Sequence, residues 1–272
     1  MSRIAARFSS LQKTNRKAFI PFISAGDPNL DVYAQLLEKL PHAGADLIEI
    51  GMPFSDPMAD GPAIERANLR AFAAGITLKK IIASVGTFRS KDDQTPVILM
   101  GYINPILSYG IEKFMGDAKQ AGVDGLIIAD VPPEEEAEIR IPAQKQDIDI
   151  IRLITPTTDA KRLPTVLKGA SGFLYCVSVT GITGSKQANS EIVRNAVDAI
   201  RPQSNLPIAV GFGITTPEQA NAIAKISDGV VVGSAIVNRI AANLDYDNCP
   251  KAGLIDDVVA FVKSLASAVH LP

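Results

Sequence analysis

Apolar and polar positions along this chain follow two periods that alternate about eight times. The short apolar runs 18–24, 46–51, 96–101, 125–130, 148–154, 172–179, 206–210 and 229–233 are flanked by turn residues and predict buried strands. Between them, apolar residues recur three and four apart over 30–43, 63–74, 78–89, 111–121, 134–146, 159–168, 191–200 and 217–225, the period of helices. A leading helix carries Ile4, Phe8 and Leu11 on one face, and two more helices, 235–242 and 254–268, follow the last strand. Strands that are apolar on both faces belong in a parallel sheet covered by helices. About eight such units predict an α/β fold, a TIM (β/α)8 barrel with an additional N-terminal helix and C-terminal helices. A doubly wound open sheet is the alternative, and it usually needs fewer units. No linker or compositional shift divides residues 1–272, so one barrel domain is expected.

Composition narrows the function classes. The 272 residues are 47% hydrophobic but only 6% aromatic, with no Trp, which suits a core of small and branched aliphatics. A net charge of −2 with scattered basic residues offers no footprint for nucleic acid or a membrane surface. No run is long enough to span a bilayer. Two cysteines, Cys176 in a strand and Cys249 in a late loop, make no disulfide framework, and a reduced, cytoplasmic chain is expected. Cys176 reads as a small buried side chain. The opening residues hold Arg3, Arg7, Lys13, Arg16 and Lys17 without an acid; an amphipathic helix is preferred there to a transit peptide.

In such a barrel, chemistry sits at the carboxyl ends of strands and in the loops after them. The densest stretch is 47–61, where Glu49 interrupts an apolar strand and the loop beyond carries Asp56 and Asp60 before Pro62 opens a helix. An acid inside a buried strand is costly unless it is paired or reactive. Glu49 has Arg152 as a conceivable partner; catalysis is the preferred reading. Asp60 either charges the start of the Pro62 helix or takes part in chemistry, and the residues alone leave both open. Asp56 and Asp130 read as turn or cap residues, and Tyr175 as core. His42 and His270 belong to no ligand cluster and no strand carries a Lys, which disfavours metal and Schiff-base chemistry and leaves carboxylate acid–base catalysis. Gly211-Phe212-Gly213 after strand seven and Gly233-Ser234 after strand eight form a glycine-lined pair that fits a phosphate, with tight packing as the alternative.

The stretch from Ile48 through Gly61 closely resembles the signature of the tryptophan synthase alpha subunit family. The resemblance continues through Gly101-Tyr102-Ile103-Asn104-Pro105, Ala129-Asp130-Val131-Pro132, Thr180-Gly181-Ile182-Thr183-Gly184 and Gly211-Phe212-Gly213-Ile214, and covers essentially the whole chain. It implies a lyase that cleaves indole-3-glycerol phosphate to indole and glyceraldehyde 3-phosphate. By the same resemblance Glu49 would be the acid/base and Asp60 would hold the indole N–H. Gly184, Gly213, Gly233 and Ser234 would bind phosphate, with Gly211 beside them. Phe22, Met100, Ile127, Leu153 and Phe212 would line an indole pocket. Tyr175 would lie beside Glu49, and Thr183 would sit in a lid. No cofactor is implied in this chain; pyridoxal phosphate would belong to a beta subunit, reached in an αββα heterotetramer through Pro53, Asp56, Asn104 and Pro105. Pro53 and Asp56 have loop shaping as their alternative. Met58 stands where the family commonly has Leu, and Leu153 where it often has Ile, exchanges that roughly conserve apolar volume. A stand-alone lyase, a binding subunit with vestigial catalysis and a phosphosugar isomerase are the rival functions.

Overall fold

The computed structural model describes residues 2–155, 157–177, 186–211 and 213–271, the side chains of 186–190 excepted. Nine strands are present among them: β1 (Ala18–Ser24), β2 (Ile48–Gly51), β3 (Val97–Gly101), β4 (Gly125–Ile128), β5 (Asp149–Ile150), β6 (Arg152–Ile154), β7 (Leu174–Val177), β8 (Ile208–Gly211) and β9 (Gly229–Val232). All pair in parallel, in the order β5-β4-β3-β2-β1-β9-β8-β7-β6. The two ends of that order, β5 and β6, are halves of the single fifth strand expected at 148–154, separated only by Ile151. Ile151 N still donates to Leu126 O on β4 (3.0 Å), while Ser171 N ahead of β7 donates to Ile150 O (3.0 Å). Eight strand positions therefore close into a TIM barrel.

Side chains along each strand alternate between the barrel interior and the helical layer. On β2, Ile48 and Ile50 face the helices, which puts Leu47 and Glu49 inside. Phe22 and Ile98 are the register partners of Glu49 on either side. The helix α1 (Arg3–Lys13), capped by Ser2 Oγ accepting from Ala5 N (3.2 Å), packs Ile4, Phe8 and Leu11 into the interior cluster with Ala18 and Leu47 near the strand starts. The Phe8 and Phe173 rings lie 5.6 Å apart. Each such buried side chain stabilises the fold by roughly 2 kcal/mol. Asp124 pins this lower end, accepting from Arg3 (2.8 Å), Arg89 (2.7 Å) and Val97 N (2.8 Å).

Around the barrel run α2 (Leu30–Lys39), α3 (Pro62–Ala73), α4 (Leu78–Arg89), α5 (Ile103–Tyr109), α6 (Ile111–Ala121), α7 (Ala137–Lys145), α8 (Leu163–Leu167), α9 (Lys186–Ile200), α10 (Pro217–Ala224), α11 (Ser234–Ala242) and α12 (Leu254–Val269). The helix α5 was not expected. Pro105 falls in its first turn, where a missing N–H costs nothing, and the Asp130 carboxylate accepts from Ile103 N (2.9 Å) at its start. The helices expected at 134–146 and 159–168 are shorter, because their first residues form turns.

Candidate active site

Glu49 projects into the upper barrel with 1% of its surface exposed, and its Oε2 has no hydrogen-bond partner among the described residues. Burial pushes its pKa up to about 8, so the carboxyl holds its proton at neutral pH. Arg152 does not pair with it. Ile151 and Leu153 face the interior, so Arg152 points the other way, toward Glu136 ahead of α7 and Lys168 O (3.3 Å). Tyr175 shares the interior with Glu49, and burial together with that nearby carboxylate raises its pKa well above the usual tyrosine value. Gly211 makes room for it: a Cβ there would sit 2.4 Å from the Tyr175 hydroxyl.

Asp60 stands at the barrel mouth, half-buried on the loop after β2. Burial raises its pKa, opposed by hydrogen bonds from the Tyr102 hydroxyl and the Asn68 amide and reinforced by Glu65. Asn68 Nδ2 donates to Asp60 Oδ2 (3.2 Å), and the Tyr102 hydroxyl accepts from Ala59 N (3.0 Å) while its ring packs 5.3 Å from Phe54. The N-cap of α3 is Gly61, without a side-chain cap, so the Asp60 carboxylate is engaged with Asn68 and Tyr102 and makes no capping bond. One cleft brings Phe22, Asp60, Ile64, Asn68, Met100 and Tyr102 together. The interior cluster below adds Ile127, Leu153 and Tyr175.

On the far rim, Gly211 ends β8 and Gly213 adopts φ +54, a conformation open chiefly to glycine. Gly233 caps α11 with no side-chain hydrogen bond, and Ser234 begins the helix. Ile236 N donates back to Gly233 O (2.9 Å), while the N–H groups of Ser234 and Ala235 have no hydrogen-bond partner among the described residues, so this helix start and its dipole can receive an anion. A Cβ on Gly233 would lie 3.4 Å from the Phe22 side chain, so this helix end faces the same mouth. Thr183, Gly184 and Phe212 lie outside the described residues.

Pro53 and Pro105 line one apolar cleft on the outer edge of the mouth, Asp56 and Asn104 are exposed beside it, and Met58 is 88% exposed. Asp130 serves as the cap of α5, one of the two roles expected of it. Cys176 is buried and burial pushes its pKa up to about 11, leaving an unreactive thiol. No group of His, Cys, Asp and Glu that could hold a metal ion occurs among the described residues. The sequence reading missed the polar pair behind Asp60, Asn68 and Ser24. A polar residue beside Ala67 and Ala71 on the inner face of a predicted helix was the available signal.

A sequence model of the family described as tryptophan synthase alpha chain matches residues 8–267. The tryptophan synthase alpha chain from Legionella pneumophila subsp. pneumophila is similar at 38% identity and a TM-score of 0.89, over 99% of this chain and 97% of that one. A chain from Aquifex aeolicus VF5 superposes with 33% identity and a TM-score of 0.88, over 98% and 99%. Tryptophan synthase from M. tuberculosis, in an open form with BRD0059 bound, matches at 30% identity and a TM-score of 0.88 over 100% of both chains. The chain belongs to the tryptophan synthase alpha chain family and is a lyase acting on indole-3-glycerol phosphate.

Proposed function

We propose that Glu49 and Asp60 carry out the retro-aldol cleavage between them. The observation behind this is a buried carboxyl whose Oε2 has no partner among the described residues and whose pKa is pushed up to about 8, inside an apolar barrel mouth whose rim holds a hydrogen-bonded second acid. Protonated Glu49 delivers its proton to indole C3, and Asp60, as a carboxylate, accepts a hydrogen bond from the indole N–H as the ring becomes cationic. Glu49, now ionised, removes the proton from the adjacent glycerol hydroxyl. The carbonyl forms, the carbon–carbon bond to C3 breaks, and its electron pair returns to the ring as neutral indole. Glu49 ends the cycle protonated. The cationic ring is the electron sink, so neither a metal nor a cofactor of this chain is needed. Phe22, Met100, Ile127 and Leu153 hold the indole, with Phe212 assigned there by resemblance. Gly213, Gly233 and Ser234 hold the phosphate, with Gly184 assigned to the phosphate and Thr183 to a lid by resemblance alone.

The partner is a beta subunit that carries pyridoxal phosphate and receives the indole in an αββα assembly. The apolar cleft containing Pro53 and Pro105, with exposed Asp56, Asn104 and Met58 around it, supports this docking face. Residues 1–272 act as one barrel domain in the cytoplasm, in keeping with the free cysteines Cys176 and Cys249. The test is indole release from indole-3-glycerol phosphate by the purified chain, with and without a beta subunit. Slow release accelerated by the partner is expected. Fast release unaffected by it would favour a stand-alone lyase.

A further inference from the structure

Asp60 is flanked by two side chains that the reaction itself does not call for. Ser24, at the carboxyl end of β1, and Asn68, on the inner face of α3, are 1% and 4% exposed. Ser24 Oγ donates to Asn68 Oδ1 (3.0 Å), which leaves Asn68 Nδ2 to donate to Asp60 Oδ2 (3.2 Å). The amide is oriented by this pairing: turned over, it would set its carbonyl oxygen against the carboxylate. Burying a polar pair here where Ala67 and Ala71 pack beside it has an energetic cost that an apolar residue would avoid.

We propose that Asn68, locked by Ser24, is a positioning residue that keeps the Asp60 carboxylate ionised and aimed into the barrel mouth. This deepens the reading of Asp60 as the acceptor for the indole N–H and rests on it. A half-buried carboxylate binds a proton more readily than one in water, and a fixed donor favours the ionised form. Among the described residues, the titratable groups bearing on Asp60 are Tyr102, whose hydroxyl also favours the ionised form, and Glu65 on the first turn of α3, which opposes it. Asp27, beyond β1, is neutralised by Arg70 on α3 (2.6 Å).

The activity profile separates positioning from packing. Turnover needs Asp60 ionised and Glu49 protonated, so it falls on the acid side with Asp60 and on the alkaline side with Glu49, near 8. Asn68→Ala and the similarly shaped Asn68→Leu should lower kcat about tenfold or more, as expected for a lost bond to a charged group. They should also move the acid limb to higher pH and leave the alkaline limb in place. Ser24→Ala, a milder change that keeps α3 intact, should move the same limb by less and add nothing in the Asn68→Ala background. An Asn68 variant whose acid limb stays in place, whatever its rate or melting temperature, overturns the proposal. Asp60→Asn, assayed alongside, should abolish turnover; if it does not, the role given to Asp60 fails first and is distinguishable from failure of the Asn68 lock.

Discussion

Replacing Glu49 by Gln should make the protein's stability less dependent on pH. In the folded chain burial holds the Glu49 proton up to about pH 8, against an ordinary value of 4.5 for the unfolded chain. Between those values the folded state binds a proton that the unfolded state has lost, so the stability this group provides is complete below pH 4.5 and declines as pH rises through 8. A tenfold difference in proton affinity is worth about 1.4 kcal/mol. By pH 7 the wild type should therefore have lost about 3 kcal/mol relative to its value at pH 4.5, and by pH 9 about 4 kcal/mol. Glu49→Gln has no proton to lose. Its buried amide offsets the variant's stability by about 1–3 kcal/mol, but by the same amount at every pH. The assay is urea unfolding of both proteins from pH 5 to 9. The gap between them should change by several kcal/mol in favour of the variant as pH rises and level off above 8. A gap that stays constant over that range would refute the placement of an unpaired, desolvated carboxyl at this site.

Three further outcomes follow from particular contacts. Gly211→Ala places a methyl 2.4 Å from the Tyr175 hydroxyl and should cost about 1–3 kcal/mol in stability, read as a lowered unfolding midpoint, because Tyr175 must leave its place beside Glu49. Asp130→Ala removes the acceptor for Ile103 N and should cost about 1 kcal/mol, with amide exchange rising first in α5. Met58→Asp, at a position 88% exposed, should leave thermal stability and unassisted indole release unchanged while weakening stimulation by a beta subunit; undiminished stimulation would remove this edge from the docking face.

Much of the barrel was legible because burial on both faces makes parallel strands continuously apolar and their helices periodic. Glu49 stood out for the same reason, as an acid in the middle of an apolar strand and just ahead of a loop with two more. Side-chain alternation along β6 already argued against an Arg152–Glu49 pair, since Leu153 and Arg152 cannot both face inward. The helix α5 was hidden by its Asn104-Pro105 opening, which reads as a turn until Asp130, distant in sequence, supplies the cap. The split at Ile151 depends on how the barrel closes between β4 and β7, which no local pattern encodes. Asp60 stayed ambiguous because Asn68 on α3, Tyr102 between β3 and α5, and Ser24 on β1 behind Asn68 meet only in the folded chain. The loops that carry the phosphate glycines were visible by composition, whereas the placement of the α11 N-terminus facing Phe22 is a tertiary fact.

The most direct test of the central claim is single-turnover cleavage of indole-3-glycerol phosphate at neutral pH by the wild type and Glu49→Gln, with substrate binding measured in parallel. The variant should bind substrate as the wild type does and release no indole, because the shape of the site is kept and the transferable proton is gone. Indole release by the variant at the wild-type rate would contradict it.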